Sequence, residues 1–383
     1  MTISDAPQLR ELRQELHRYP ELGFKENNTK TRVAELLRSY GLEVHEGVGV
    51  VGILRAGTGN RAIGLRADMD ALPIQEASTH EYVSRTPGVM HACGHDGHMA
   101  MLLGAAQALA ADPDFSGTVV FLFQPNEELG LGAQAMLDEG VLERFPIEEV
   151  YAIHNLPGAP VGQLSTRTGL ICSSESLFEI VIKGQGGHAS MPQAGRDVIT
   201  VGAEIVQALQ TIVARKLAPG AGAVVSVTEF LTDGQRNVLP GAATLKGDFR
   251  ARTPEDRDSI EFFMRQIAKG VATAHGVEVT VDFRTEFIET INAPAPTQAA
   301  LRAAQAVGLE TVSDREPMSF SEDFAHFSAA VPGCFVMLGN GTSGAHGQPL
   351  HSNDYDFNDD LLPIGAAFWT ALVRDRLPVQ SEA

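Results

Sequence analysis

The sequence predicts an α/β protein with a largely parallel central sheet, interrupted by a smaller α+β unit. Three observations carry this. Helical and strand patterns alternate over about the first 165 residues. Val119-Val120-Phe121-Leu122-Phe123 is a continuous apolar run, as expected of a strand covered on both faces. From Leu177 to Phe283 the rhythm becomes strand, helix, strand, strand, helix, strand, the order of a ferredoxin-like unit.

The elements follow in order. Leu9, Leu12 and Leu16 recur at helical spacing, and Pro20 ends that run. Val33, Leu36, Leu37 and Tyr40 form a second stripe, with Gly41 placed to stop it. Val48 to Leu54 and Ala62 to Leu65 read as strands joined by the turn Gly57-Thr58-Gly59-Asn60. Met99 to Ala110 is a small-residue helix, Ala133 to Glu139 a helix, and Val150 to Ile153 a strand. In the middle unit, Leu177 to Ile182, Ala223 to Phe230, Ala242 to Ala251 and Val277 to Phe283 are strands. Asp197 to Arg215 and Pro254 to His275 are its helices. The α/β rhythm then resumes with a helix at Ala299 to Val307, a buried strand at Cys334 to Leu338, and a last helix near Leu361 to Leu377. The middle unit is therefore inserted: residues 169–285 against a discontinuous partner made of 1–168 and 286–383. About two domains is what a chain of 383 residues predicts.

Composition narrows the function classes. With 29 Lys+Arg against 48 Asp+Glu the net charge is −19, which argues against nucleic acid or an anionic membrane as partner. Such an excess mainly keeps the surface solvated. A hydrophobic share of 44% supports a large core and excludes disorder. Three cysteines cannot build a disulfide framework, and Cys172 and Cys334 sit among apolar neighbours as buried thiols. Met1-Thr2-Ile3-Ser4-Asp5 has neither the basic nor the apolar stretch of a signal peptide. No run approaches the roughly 18–20 apolar residues of a membrane span. The expected location is the cytoplasm.

The polar clusters share one address. Asp68 and Asp70 follow the strand ending near Leu65, Glu127 and Glu128 the strand ending at Phe123, and His154 the strand ending at Ile153. His351 lies in the loop after Cys334 to Leu338. Ligands in open α/β sheets bind outside the carboxyl ends of the strands, so these segments deliver acids and imidazoles to one rim. His91-Ala92-Cys93-Gly94-His95-Asp96-Gly97-His98 has metal-ligand composition, and lacks the second cysteine of a redox pair. In an extended loop Cys93 and His95 point the same way, while His91 and His98 either support the ligands or cap the helix. Glu127 and Glu128 repel one another and need a cation; one can ligate while the other serves as base, the alternative being a solvated acidic helix start. Asp70 can orient a ligating imidazole, or belong to a capped turn before Pro73. His351 gains weight only from its address.

In the middle unit, Gly184-Gln185-Gly186-Gly187-His188-Ala189-Ser190 lacks the Lys-Ser/Thr ending of a phosphate loop. His188 stands exposed among glycines. Arg250 suits bidentate binding of a carboxylate, or else makes an ion pair on the strand surface.

Seven segments together resemble the M20 family of di-metal amidohydrolases and peptidases. They are Leu65-Arg66-Ala67-Asp68-Met69-Asp70-Ala71-Leu72-Pro73, Met90 to His98, Gln124-Pro125-Asn126-Glu127-Glu128, Ile153-His154-Asn155, Gly187-His188-Ala189-Ser190, Ser321-Glu322-Asp323-Phe324 and Leu350-His351-Ser352-Asn353. They occur in family order. The cysteine-histidine loop is similar to that of the branch holding hippurate hydrolases, N-acyl-amino-acid aminoacylases and auxin-conjugate hydrolases. The resemblance implies a zinc-exopeptidase-like catalytic domain and a lid or dimerisation domain. It implies five metal ligands, Cys93, His95, Glu128, His154 and His351, for two divalent ions per subunit, zinc or manganese, with cobalt or nickel also used in the branch. Glu127 is then the general base and acid, and Asp70 orients a ligand. Asp68 stands where many members carry a metal-binding histidine, the usual pattern of the cysteine branch. His188 becomes the lid histidine that stabilises an oxyanion, often across a dimer, and Asn237 and Arg250 hold the substrate carboxylate. The implied activity is cleavage of N-acyl amino acids to a carboxylate and a free amino acid, in a homodimer or dimer of dimers. The competing readings are a dipeptidase or aminopeptidase, which needs an anionic group for a free amine that none of these residues supplies, and a non-catalytic binding protein, which the intact Glu127 disfavours.

Overall fold

The computed structural model describes residues 6–379. The N-terminal pentapeptide read above for targeting lies outside the described residues. Contacts divide the chain into two compact units: Met1–Ile171 with Thr290–Glu316 and Asp323–Ala383, and Cys172–Glu289 with Pro317–Glu322.

The first unit is built on an eight-stranded sheet. Across it the strands run Glu43–Glu46, Val50–Ala56, Gly117–Gln124, Ala62–Asp68, Glu149–Pro157, Gly333–Gly341, Leu164–Ser165 and Thr311–Val312. From Gly117–Gln124 to Gly333–Gly341 neighbours are parallel, so their carboxyl ends emerge at one edge. The flanking pairs Glu43–Glu46 with Val50–Ala56 and Val50–Ala56 with Gly117–Gln124 are antiparallel. Ala62–Asp68 is buried at every position, as a two-sided parallel strand must be. Val50–Ala56 and Ala62–Asp68 do not pair with each other, although one turn joins them; Gly117–Gln124 lies between.

The helix His95–Ala111 is buried around most of its circumference and packs against Leu361–Arg376 and Ala6–Arg18. It starts four residues earlier than its apolar stripe predicts, so His95 belongs to its first turn rather than to an extended loop. His154, expected after its strand, lies inside it: pairing with Gly333–Gly341 continues to Pro157.

The second unit is a four-stranded antiparallel sheet in the order Val224–Thr232, Ala242–Arg250, Glu175–Lys183, Glu278–Phe287. Numbered along the chain this is 2-3-1-4, the ferredoxin-like arrangement. Helices Val198–Leu209 and Pro254–His275 cover it, with Val201, Ile205, Ile260 and Met264 meeting Ile180, Ile182 and Leu245 in the core. The first helix stops sooner than its stripe predicts. Thr211 hands its hydroxyl to the Ala208 carbonyl, and Ile212–Lys216 continues as a wider turn. Among the described residues no helix is long and apolar enough to cross a membrane.

Candidate metal centre and active site

The parallel strands bring their loops to one rim. Cys93, His95 and His154 present ligand atoms within 4.8 Å of one another, as do Cys93, Glu128 and His351, and His95, Glu127 and Glu128. Cys93 Sγ lies 3.3 Å from His154 Nε2, and His351 Nε2 lies 3.3 Å from Glu128 Oε2. His95 Nε2 is 3.9 Å from both Glu127 Oε2 and Glu128 Oε1.

Local backbone makes this convergence possible. Gly94 takes φ +90° between Cys93 and the helix, and a Cβ there would lie 2.3 Å from Asn155 Oδ1 and 2.6 Å from the Tyr355 hydroxyl. That left-handed turn, not alternation along a strand, aims Cys93 and His95 at one place. His351 is itself left-handed, with φ +65°, and its N–H donates to the Ala92 carbonyl at 2.8 Å. The cysteine loop and the histidine loop are thereby tied together.

The rings are oriented from behind. His154 Nδ1 donates to the Asn155 carbonyl at 2.7 Å, which leaves Nε2 unprotonated toward Cys93. His95 Nδ1 meets the Asp70 carbonyl at 2.9 Å and lies 3.3 Å from Asp70 Oδ1. So Asp70 does contact the His95 imidazole, mainly through its backbone. Its carboxylate also accepts from the Glu128 N–H at 3.0 Å. His98 is committed elsewhere: Nδ1 to Asp68 at 2.7 Å and Nε2 to Asn155.

The electrostatics call for a cation. His95 Nε2, Glu128 Oε1 and Asp70 Oδ1 are buried without a hydrogen-bond partner, each an expensive state. Burial would lower the His95 pKa, but Asp68, Asp70 and Glu128 push it up to about 10. An imidazole so strongly biased toward positive charge marks a spot that a metal cation would satisfy with the proton gone. Burial holds His154 well below its usual value, so it stays the neutral ring a metal needs. The donor set of one sulfur, three imidazoles and a carboxylate fits divalent transition ions.

Asp68 Oδ2 lies 3.7 Å from His95 Nε2, but the Asp68 oxygens are taken by other partners. Burial alone would raise it, but His95, His98 and Arg66 hold its carboxyl well below the usual range. Arg66, fully buried, donates to Asp68 at 2.7 Å, Asp323 at 2.9 Å and Gln124 at 2.8 Å. Asp323 also accepts from Gln124 and from the Ala133 N–H. Sequence reading assigned Arg66 and Asp323 no role. The signal in the sequence is an arginine within the apolar run of the strand Ala62–Asp68.

The remaining candidates lie in the second unit. His188 pairs opposite Val238, and the Ala189 N–H donates to the Asn237 carbonyl, so His188 and Asn237 are neighbours. His188 Nδ1 accepts from the Ser190 N–H at 3.1 Å; a backbone N–H must donate, so the proton sits on Nε2. The Arg250 guanidinium meets Glu175 at 2.9 Å, Asp248 at 2.8 Å and the Ser321 hydroxyl at 2.9 Å.

Comparison with known proteins adds the family. The pattern of peptidase family M20/M25/M40 matches residues 64–375. A hippurate hydrolase of Campylobacter jejuni is 36% identical over 366 residues, covering 94% of each chain. Thermostable carboxypeptidase 1 of Saccharolobus solfataricus is 36% identical over 366 residues, covering 93% of this chain and 92% of that one. A Bacillus subtilis structure described as a dinuclear metal-binding peptidase of the M20 family superposes with a TM-score of 0.87, at 30% identity, over 98% of this chain and 99% of the other. With a buried cysteine, histidine and carboxylate cluster on the family's fold and its pattern running through most of the sequence, the chain belongs to peptidase family M20/M25/M40.

Proposed function

We propose that the protein is a metal-dependent amidohydrolase that cleaves N-acyl amino acids to a carboxylic acid and a free amino acid. One observation carries the reading: Glu128 Oε2 lies 3.3 Å from His351 Nε2, while Glu127, beside it, comes within 3.9 Å of His95 Nε2. One carboxylate is placed to ligate and the other to move protons. Hippurate is itself an N-acyl amino acid, and a carboxypeptidase likewise severs an amide whose leaving group is an amino acid with a free carboxylate.

Cys93, His95, Glu128, His154 and His351 would hold two divalent ions, zinc or manganese, with the thiolate favouring zinc. Ions bound there supply Lewis acidity and lower the pKa of water. Glu127 takes a proton from the attacking water as its oxygen bonds to the amide carbon. When the C–N bond breaks, Glu127 returns that proton to the leaving amine. His188, with its proton on Nε2, is suited to donate to the tetrahedral oxyanion. Asn237 and Arg250 would bind the substrate carboxylate, Arg250 exchanging one of its present acidic partners for it. On this reading residues 1–168 and 286–383 form the catalytic domain and 169–285 the lid. The lid's edge strand Val224–Thr232 exposes Val224, Phe230 and Leu231, which supports pairing with a second copy.

The test is a substrate panel: hippurate and N-acetyl amino acids against unblocked dipeptides, with Glu127→Gln as control. Hydrolysis of the N-acyl compounds is expected. Glu127→Gln should keep its metal and lose at least about 100-fold in kcat. Equal kcat/KM on free-amine dipeptides would overturn the substrate class, and near-parental activity of the Gln variant would overturn the base. Chelation should abolish turnover, and readdition of Zn or Mn should restore it.

A further inference from the structure

Two carboxylates grip the backbone on either side of Glu127. After it, Asp70 accepts from the Glu128 N–H. Before it, Glu26 Oε1 accepts from the Asn126 N–H at 2.9 Å. Asn126 has φ +50°, a left-handed conformation that a residue with a Cβ keeps only when its surroundings enforce it. Across the contact Phe24 is left-handed too, at φ +59°.

Glu26 comes from a distant part of the sequence. It stands at the N-cap of Asn27–Ser39, yet makes no side-chain bond to that helix. It is 2% exposed, and burial pushes its carboxyl up to about 7 despite the N–H it accepts. Its carboxylate does not cap its own helix; it takes the Asn126 N–H together with backbone N–H groups of its own segment, at Glu26 and Phe24. The rest of its segment supports the same place. Gly23 lies so close that a Cβ would stand 1.8 Å from Asn126 Oδ1. The Ala71 N–H donates to the Glu21 carbonyl at 2.8 Å. Residues 21–26 therefore brace both loops that carry the site's acids.

We propose that Glu26 is a positioning residue for Glu127 and Glu128: its carboxylate locks the left-handed turn at Asn126 and so sets where the two following side chains point. The inference rests on the roles given to Glu127 and Glu128 above.

The test compares Glu26→Ala, Glu26→Gln and Glu26→Asp with the parent. Parental hydrolysis of an N-acyl amino acid, lost in Glu127→Gln, first establishes the underlying reading; its failure is thereby separated from failure of the inference. At saturating divalent metal, Glu26→Ala should lower kcat by roughly tenfold or more, with KM within about threefold. A chelator-competition titration should show its affinity for Zn weakened by about tenfold. Gln keeps an acceptor oxygen at the same reach and should restore both readouts to within about threefold of the parent. Asp keeps the charge but falls one methylene short, and should resemble Ala. If Ala does not fold, the Gln and Asp pair decides. A merely structural Glu26 would lower Tm and leave kcat and metal affinity alone. That result, or Gln failing where Asp succeeds, overturns the proposal.

Discussion

Arg66 shows what a single buried cation does in an acidic site. It joins Asp68, Asp323 and Gln124 in a place none of them shares with solvent. Arg66→Met would remove the guanidinium that the buried Asp68 and Asp323 share, and should cost about 3–5 kcal/mol in denaturant unfolding. His17 makes a second case. Its ring bridges Asp96 at 2.8 Å and Glu76 at 3.2 Å. Burial would lower its pKa, but these acids raise it from 6.5 to about 9. A raised histidine stabilises fully below its unfolded value, and that contribution is lost as pH climbs to its folded value. Unfolding free energy should therefore fall between about pH 6.5 and 9, and His17→Gln should flatten that slope. The candidate ligands stand out in the sequence because cysteine and histidine cluster at Cys93 and His95. Arg66 and Glu26 do not, because Asp323 lies 257 positions from one and Asn126 lies 100 from the other. Nothing local in the chain announces such partners.

Elements were legible where the pattern is long and differ where pairing decides. Pro254 to His275 reads correctly at both ends, because Thr253 caps it through Asp256 N–H and Gly276 closes it in the left-handed region. Thr253→Ala should cost about 1 kcal/mol in unfolding and leave the metal centre's stoichiometry unchanged. The strand holding His154 reads short, because what prolongs it is the distant Gly333–Gly341 strand. The order of Val50–Ala56 and Ala62–Asp68 is hidden for the same reason: a parallel partner comes from elsewhere in the chain. The helix His95–Ala111 depends on its first turn. Gly94→Ala would drive a Cβ into Asn155 and Tyr355, and should lower both Tm and bound metal.

For the whole molecule, charge and chain order matter most. The net −19 opposes an anionic N-acyl amino acid at long range. Salt screens that opposition, so kcat/KM should rise with ionic strength up to about 0.15 M, where the Debye length is about 8 Å. A neutral amide substrate should show no such rise. The two units also interleave along the sequence. Arg66 emerges from the ribosome early, but Asp323 is made only after Cys172–Glu289 and Pro317–Glu322 are complete, and His351 later still. The second unit is thus synthesised while Arg66 has Asp68 but not yet Asp323, the more distant of its two acidic partners in sequence. Domains generally fold as units during synthesis. On the proposed ligand set, His351 is the last ligand to be synthesised, so that set is complete only after the second unit has been made.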